Sequence, residues 1–186
     1  QSLTYSIIGG ADAGRFAIDS STGQLSFLSA PNYESATDSG SNNVYDVTVQ
    51  VSDGNGGTDT QAIAVTVTNV NETPTDLDLS ANTVAENAAN GTVVGTVSGT
   101  DPDSGDTKTY SLTDTAGGRF VINSSTGEIT VADGLLLNYE SATNHSVTVR
   151  VTDAGGLTYD ETFTINVTNV SETPTGADTT ITINED

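Results

Sequence analysis

The stretch Thr68-Asn-Val-Asn-Glu-Thr-Pro-Thr75 returns at Thr168–Thr175 as Thr-Asn-Val-Ser-Glu-Thr-Pro-Thr, 100 residues on. Self-similarity at such a period means that the 186-residue chain is built from copies of one module, not from one large domain. Further blocks pair in the same order. Thr4–Ser6 matches Thr109–Ser111, Gly14–Gly23 matches Gly118–Gly127, and Asn32–Thr37 matches Asn138–Thr143. The offsets run 105, 104, 106 and finally 100, the last drop being absorbed by the polar loop Asp38–Asn43.

Each copy reads as all-β. Val47–Asp53 and Val147–Asp153 alternate apolar and polar with period two, as do Ile63–Val67 and Phe163–Val167. Glycine-rich turns such as Asp53–Gly57 and Asp153–Gly156 break the runs at short spacing, and no stretch carries a helical apolar stripe. Several short β-branched strands between turns predict a sandwich. The alignment sets Gln1 near position 106 of the second copy, so the first copy lacks the counterpart of about residues 76–105. That segment is expected to hold two strands, Leu77–Thr83 and Gly91–Thr100. At the other end, Gly176–Asp186 resembles the opening of a third module. The chain therefore reads as a piece of a longer one, with the missing strands supplied by upstream residues or by a neighbouring molecule.

There are 25 acidic and 4 basic side chains, a formal charge of −21. Such a polyanion repels nucleic acid and anionic membranes. Either solvated loops spread the charge, or bound cations neutralise clusters of it. Cysteine is absent, which excludes disulfides and thiolate metal sites. No apolar run approaches the roughly 20 residues of a membrane span, so neither a nucleic-acid partner nor membrane insertion is expected.

The acidic residues recur at strand ends in short motifs: Ala85-Glu86-Asn87, Asp101-Pro-Asp103, Asn138-Tyr-Glu140, Asp153, and the joints Asn69–Glu72 and Asn169–Glu172. With the hairpins Phe16–Leu25 and Phe120–Ile129 they follow one order, and in that order the chain resembles tandem cadherin repeats of the kind found in large bacterial surface adhesins. The second copy carries every motif in turn; the first carries the C-terminal half of the set. The resemblance implies tandem Greek-key, immunoglobulin-like sandwiches of seven strands, the first lacking its two N-terminal strands. The implied organisation is a partial domain over 1–72 (strands C to G), a complete domain over 73–172, and over 173–186 a linker with the first strand of a third domain.

The resemblance also implies Ca²⁺ at the joints, and the donors agree: Ca²⁺ takes about six to eight oxygen ligands, carboxylates foremost. At the first joint, Asp101, Asp103 and Asp153 would face Asn69, Asn71 and Glu72, with Glu34 completing the cluster. At the second, Glu86, Glu140, Asn169 and Glu172 would lie on the near side. Asp53 would serve the preceding joint and Glu185 the following one. The family's linker Asp is Asn69 and Asn169 here, Asn71 becomes Ser171, and fewer charges predict fewer or looser ions.

Other chemistry finds little footing. Asp101–Asp106 hints at an EF-hand loop, but position twelve is Leu112 and no flanking helix is expected. The single His145, at the start of a strand, reads as a surface residue and makes no zinc site. Arg15 and Arg119, each before a hairpin Phe, read as partners in local salt bridges. No nucleophile elbow or phosphate loop exists, and an enzyme is not expected. The expected role is a calcium-rigidified spacer of an extracellular, cell-surface adhesin or filament, with neighbouring copies of the repeat as partners. Two alternatives stand beside it. One is a polysaccharide-binding module, which would need exposed aromatics from only six Tyr, four Phe and no Trp. The other is a homophilic unit that accepts a strand from its neighbour.

Overall fold

The computed structural model describes residues 2–173. Among the described residues thirteen strands alternate with turns, and the only helical pieces are two single 3₁₀ turns, at Ala13–Arg15 and Gly134–Leu136. Strands of the first copy are β1 (Thr4–Gly9), β2 (Phe16–Ile18), β3 (Leu25–Phe27), β4 (Val44–Ser52) and β5 (Thr58–Thr66). Those of the second are β6 (Asp76–Leu79), β7 (Thr83–Ala85), β8 (Val93–Thr100), β9 (Thr109–Asp114), β10 (Phe120–Ile122), β11 (Glu128–Val131), β12 (Asn144–Thr152) and β13 (Thr158–Thr168). Two compact units result. One comprises the described residues up to Glu72 with Pro102–Ser104, the other Thr73–Asp101 with the described residues from Gly105 onward.

The second unit is a sandwich of two four-stranded sheets, ordered β10-β11-β8-β6 and β7-β13-β12-β9. Alternation decides what faces inward: along β12, Val147, Val149 and Val151 are fully buried while Arg150 and Thr152 are not. They meet Leu77, Val97, Phe120, Ile129 and Val131 from the other sheet. The single strand expected over 77–83 is instead split. Leu77 pairs with Gly99 of β8, but from Thr83 the chain runs parallel to β13 in the opposite sheet. The switch occurs at Ser80–Asn82, where Asn82 donates its side-chain amide to the Thr164 carbonyl and its carbonyl accepts the Asn166 N–H. Gly95 permits the crossing, since a Cβ there would lie 2.2 Å from the Ala81 carbonyl oxygen.

In the first unit β1, β4 and β5 form one sheet and β2 and β3 a two-stranded ribbon. Its described residues hold no counterpart of β6, β7 or β8. The consequence is legible residue by residue. Val49, Val51, Val65 and Val67 are only half-buried, whereas their counterparts Val149, Val151, Ile165 and Val167 are 0–3% exposed. The small core is aromatic: Phe16 stacks on Phe27 with centroids 4.5 Å apart, and Tyr45 meets Phe27 edge-on at 5.1 Å. The strand expected within 173–186, with Glu185 on it, lies outside the described residues.

Candidate metal centre

Two groups of three carboxylates form, each inside one unit. In the first unit, oxygens of Glu34, Glu72 and Asp103 lie within 4.8 Å of one another. Glu34 sits on a turn that Asn32 closes by accepting the Ser35 N–H at 2.8 Å. Asp103 is 8% exposed. Its Oδ1 accepts the Asn69 side-chain amide at 2.7 Å and its Oδ2 the Glu72 N–H at 2.8 Å. These bonds to the charged form, that from Asn69 first, hold the Asp103 carboxyl below its ordinary value. Asn71 turns its own amide to the Glu72 carbonyl, at 3.3 Å.

In the second unit, Asp101, Asp106 and Asp153 converge within the same limit. Asp153 is 6% exposed and closes the β12–β13 turn by accepting the Leu157 N–H at 2.7 Å. Asp106 accepts the Ala154 N–H at 3.1 Å, which ties its loop to that turn. The Asp101-Pro-Asp103 pair, read from the sequence as one cluster with Asp153, is thus divided: Asp103 joins Glu34 and Glu72, and Asp106 joins Asp101 and Asp153. The sequence signal for Asp106 is its place in Asp101–Asp106, a run whose EF-hand reading fails at position twelve, Leu112.

The remaining candidates are engaged with the protein itself. Glu86 is 2% exposed, and its carboxylate accepts the Val170 N–H at 2.7 Å and the Tyr139 N–H at 2.9 Å. Those bonds, Val170 first, hold its carboxyl below the usual glutamate range. Asn169 donates its amide to Glu140 at 3.0 Å, and Asn87 donates to Glu172 at 3.0 Å. Among the described residues, Glu86, Glu140 and Glu172 do not gather into a third three-carboxylate group. Asp53 closes the β4–β5 turn by accepting the Asn55 and Gly57 N–H groups, each at 2.8 Å.

Some residues differ from expectation. Among the described residues Arg15 and Arg119 form no carboxylate pair. Arg15 donates to the Thr37 carbonyl, and Arg119 to those of Leu136 and Ala116, because loop carbonyls stand within their reach. The ion pair among the described residues is Arg150–Asp160, at 2.7 Å. His145 is not a surface residue: it faces inward at the register of Ile165, half-buried, with Nε2 shielded and unpartnered. Two buried carboxylates carried no signal in the repeat. Asp12 accepts the Ser39 and Asp46 N–H groups, and Asp38 those of Gly40, Asn42 and Asn43; together they order the loop Asp38–Asn43.

Both triads offer carboxylate oxygens alone, with no imidazole or thiolate. That donor set suits a hard cation such as Ca²⁺ and disfavours zinc. The cadherin domain family model matches residues 81–168. The chain contains a cadherin-like domain. Across 172 residues the chain is 33% identical to human Protocadherin Fat 1, covering 89% of this chain and 4% of that protein. The cadherin-like fold extends beyond the matched residues. The human protocadherin-24 EC1-2 structure (form II) superposes with a TM-score of 0.69 at 22% identity, covering 92% of this chain and 83% of that one. Mouse cadherin-23 EC22-24 superposes at 0.64 and 25% identity, covering 90% and 54%. Phe16, Phe120 and Tyr45 are 1–6% exposed, so these rings are core and not a cadherin-like glycan platform.

Proposed function

We propose that the chain is a structural repeat segment of an extracellular adhesion protein, rigidified by Ca²⁺ at the joints that the sequence marks at Asn69–Glu72 and Asn169–Glu172. The observation that carries this reading is the Glu34–Glu72–Asp103 triad, in which a linker carboxylate converges with two others. The Asp101–Asp106–Asp153 triad supplies a second set of hard donors. Glu34, Glu72 and Asp103 would hold Ca²⁺, whose positive charge would offset the repulsion among their carboxylates. The chain's own residues prepare for it. Glu72 N–H orients Asp103, Leu157 N–H orients Asp153, and the Asn32 turn presents Glu34. A ligand bound by the folded state alone raises stability through linkage. The cadherin-like relatives support extracellular placement and an adhesive role, and the motif order fits large tandem-repeat surface proteins, bacterial adhesins and filaments included. No helix among the described residues is long and apolar enough to cross a membrane.

The test is a Ca²⁺ titration read by calorimetry and small-angle scattering, against chelator. A rise in Tm together with a narrower distribution of end-to-end lengths is expected; no change in either would overturn the reading. A second reading, homophilic assembly through strand addition, is favoured by the half-buried face of Val49, Val51 and Val65. Sedimentation across a concentration series separates it, since only assembly depends on concentration.

A further inference from the structure

We propose that Asn69 and Asn169 act as amide clamps, each tying its linker to a carboxylate outside it (Asp103 and Glu140) without a cation, so that the fold at each linker persists when metal is withdrawn. In both copies the same linker position aims a side-chain amide at a carboxylate: Asn69 at Asp103, 2.7 Å, and Asn169 at Glu140, 3.0 Å. A third amide, Asn87, does the same for Glu172 at 3.0 Å. An amide hydrogen bond to a charged acceptor is among the stronger kinds. It offsets the mutual repulsion of carboxylates brought together in one place without adding formal charge.

The first clamp is the more informative. Asp103 is 8% exposed and lies in a triad with Glu34 and Glu72. Its two oxygens divide their work, Oδ1 taking the Asn69 amide and Oδ2 the Glu72 N–H. The Asn69 contact therefore fixes the carboxylate that in turn fixes the linker backbone at Glu72. A carboxylate at position 69 would place two acidic oxygens at a 2.7 Å contact, to be relieved by a proton, by a cation or by breaking the contact. The amide is thus a positioning group that removes the obligation to bind metal, at the expense of one ligand charge. On this account the linkers are tuned for order at low cation concentration instead of for the tightest binding.

The calcium half of this inference rests on the function proposed above; the metal-free half does not. The experiment compares the chain with N69D, with N169D, and with the double swap N69D/D103N, in EDTA and in Ca²⁺. It reads Tm and the hydrogen-exchange rate of the Glu72 amide. In EDTA, N69D should lower Tm by about 5 °C and accelerate Glu72 exchange at least tenfold. The swap should restore both, since one amide again faces one carboxylate and an oxygen remains for Glu72 N–H. In Ca²⁺, N69D should show a larger metal-induced rise in Tm than the parent chain. N169D, tested independently, should repeat the EDTA loss. If N69D matches the parent in EDTA, or if the swap fails to restore Glu72 protection, the clamp is refuted. If the parent chain ignores Ca²⁺ but N69D still loses stability in EDTA, the calcium reading fails and the clamp stands.

Discussion

The carboxylate of Glu86 accepts the backbone N–H of Val170 at 2.7 Å across 84 residues of sequence. Its other oxygen holds Tyr139 N–H. One side chain therefore ties the end of β7, the Asn138–Glu140 turn and the start of the second linker into a single unit. The folded-state pKa is depressed below the ordinary value of 4.5, so the unfolded chain binds the proton more readily. The stability that Glu86 contributes is thus complete above about pH 4.5 and is lost as pH falls through the depressed folded value. Glu86→Gln should flatten that acid limb in a pH series of thermal melts. It should also speed hydrogen exchange at Val170 and Tyr139 at neutral pH.

Ile129 and Leu25 occupy the same hairpin position in the two copies, and their burial differs. Ile129 is 0% exposed on β11 beside β8, where it pairs with Gly95, while Leu25, whose hairpin has no such neighbour among the described residues, is half-buried. Truncating a fully buried aliphatic removes its transfer energy and leaves a cavity. Ile129→Ala should cost about 2–5 kcal/mol, whereas Leu25→Ala should cost on the order of 1 kcal/mol. Urea unfolding of each variant, followed in the transition of its own unit, checks the contrast. Equal costs would mean that the first unit is covered as fully as the second.

Much of the fold is legible in the sequence, for a physical reason. Period-two alternation fixes which side chains face inward, so Val47, Val147, Val149 and Val151 declare themselves. The repeat then transfers the strand and turn readings from one copy to the other where the motifs match. What alternation does not report is where a strand changes partner. The break at Ser80–Asn82 depends on a side-chain bond from Asn82 to Thr164, 82 residues away, which no local pattern encodes. The acidic motifs pointed to the neighbourhood of both triads but not to their membership. Asp101 and Asp103 are two residues apart, and turn geometry, not spacing, decides which neighbours each one meets. Burial of Asp12 was invisible because its counterpart in the second copy is Ala116, so the repeat offered no comparison.

His145 stands where the first copy has Tyr45. Tyr45 satisfies its hydroxyl at Thr37, whereas Nε2 of His145 is shielded without a partner. Burial, and then the nearby Arg119 charge, push its pKa below 6.5. The sign follows: the unfolded chain protonates first, so stability is complete above about pH 6.5 and falls as pH drops through the depressed folded value. The second unit should melt at a steady temperature from pH 7.5 to about pH 6.5 and progressively lower from there to pH 5. His145→Phe should remove that slope while leaving the Glu86 limb below pH 4.5 intact. A parent chain whose Tm is flat from pH 7.5 to pH 5 would show that His145 accepts its proton without penalty.

Asp103 and Asp106 belong to different triads, and each accepts one backbone N–H from the loop opposite, Glu72 for Asp103 and Ala154 for Asp106. An asparagine at either place keeps an oxygen for that N–H but removes one charge from its own triad. Fewer ligand charges weaken Ca²⁺ binding. In a calorimetric titration, D103N and D106N should each weaken binding about tenfold or abolish one class of ions. Asp114→Asn, at the far end of β9 from Asp106, removes the same formal charge outside both triads and should leave the isotherm unchanged. If D114N weakens binding as much as the other two, the affinity reflects the overall charge of −21 and not the two triads. High salt gives the same discrimination independently. Screening removes a diffuse attraction acting beyond the Debye length, about 8 Å at physiological ionic strength and shorter in high salt, but it leaves ions held by converging carboxylates largely in place.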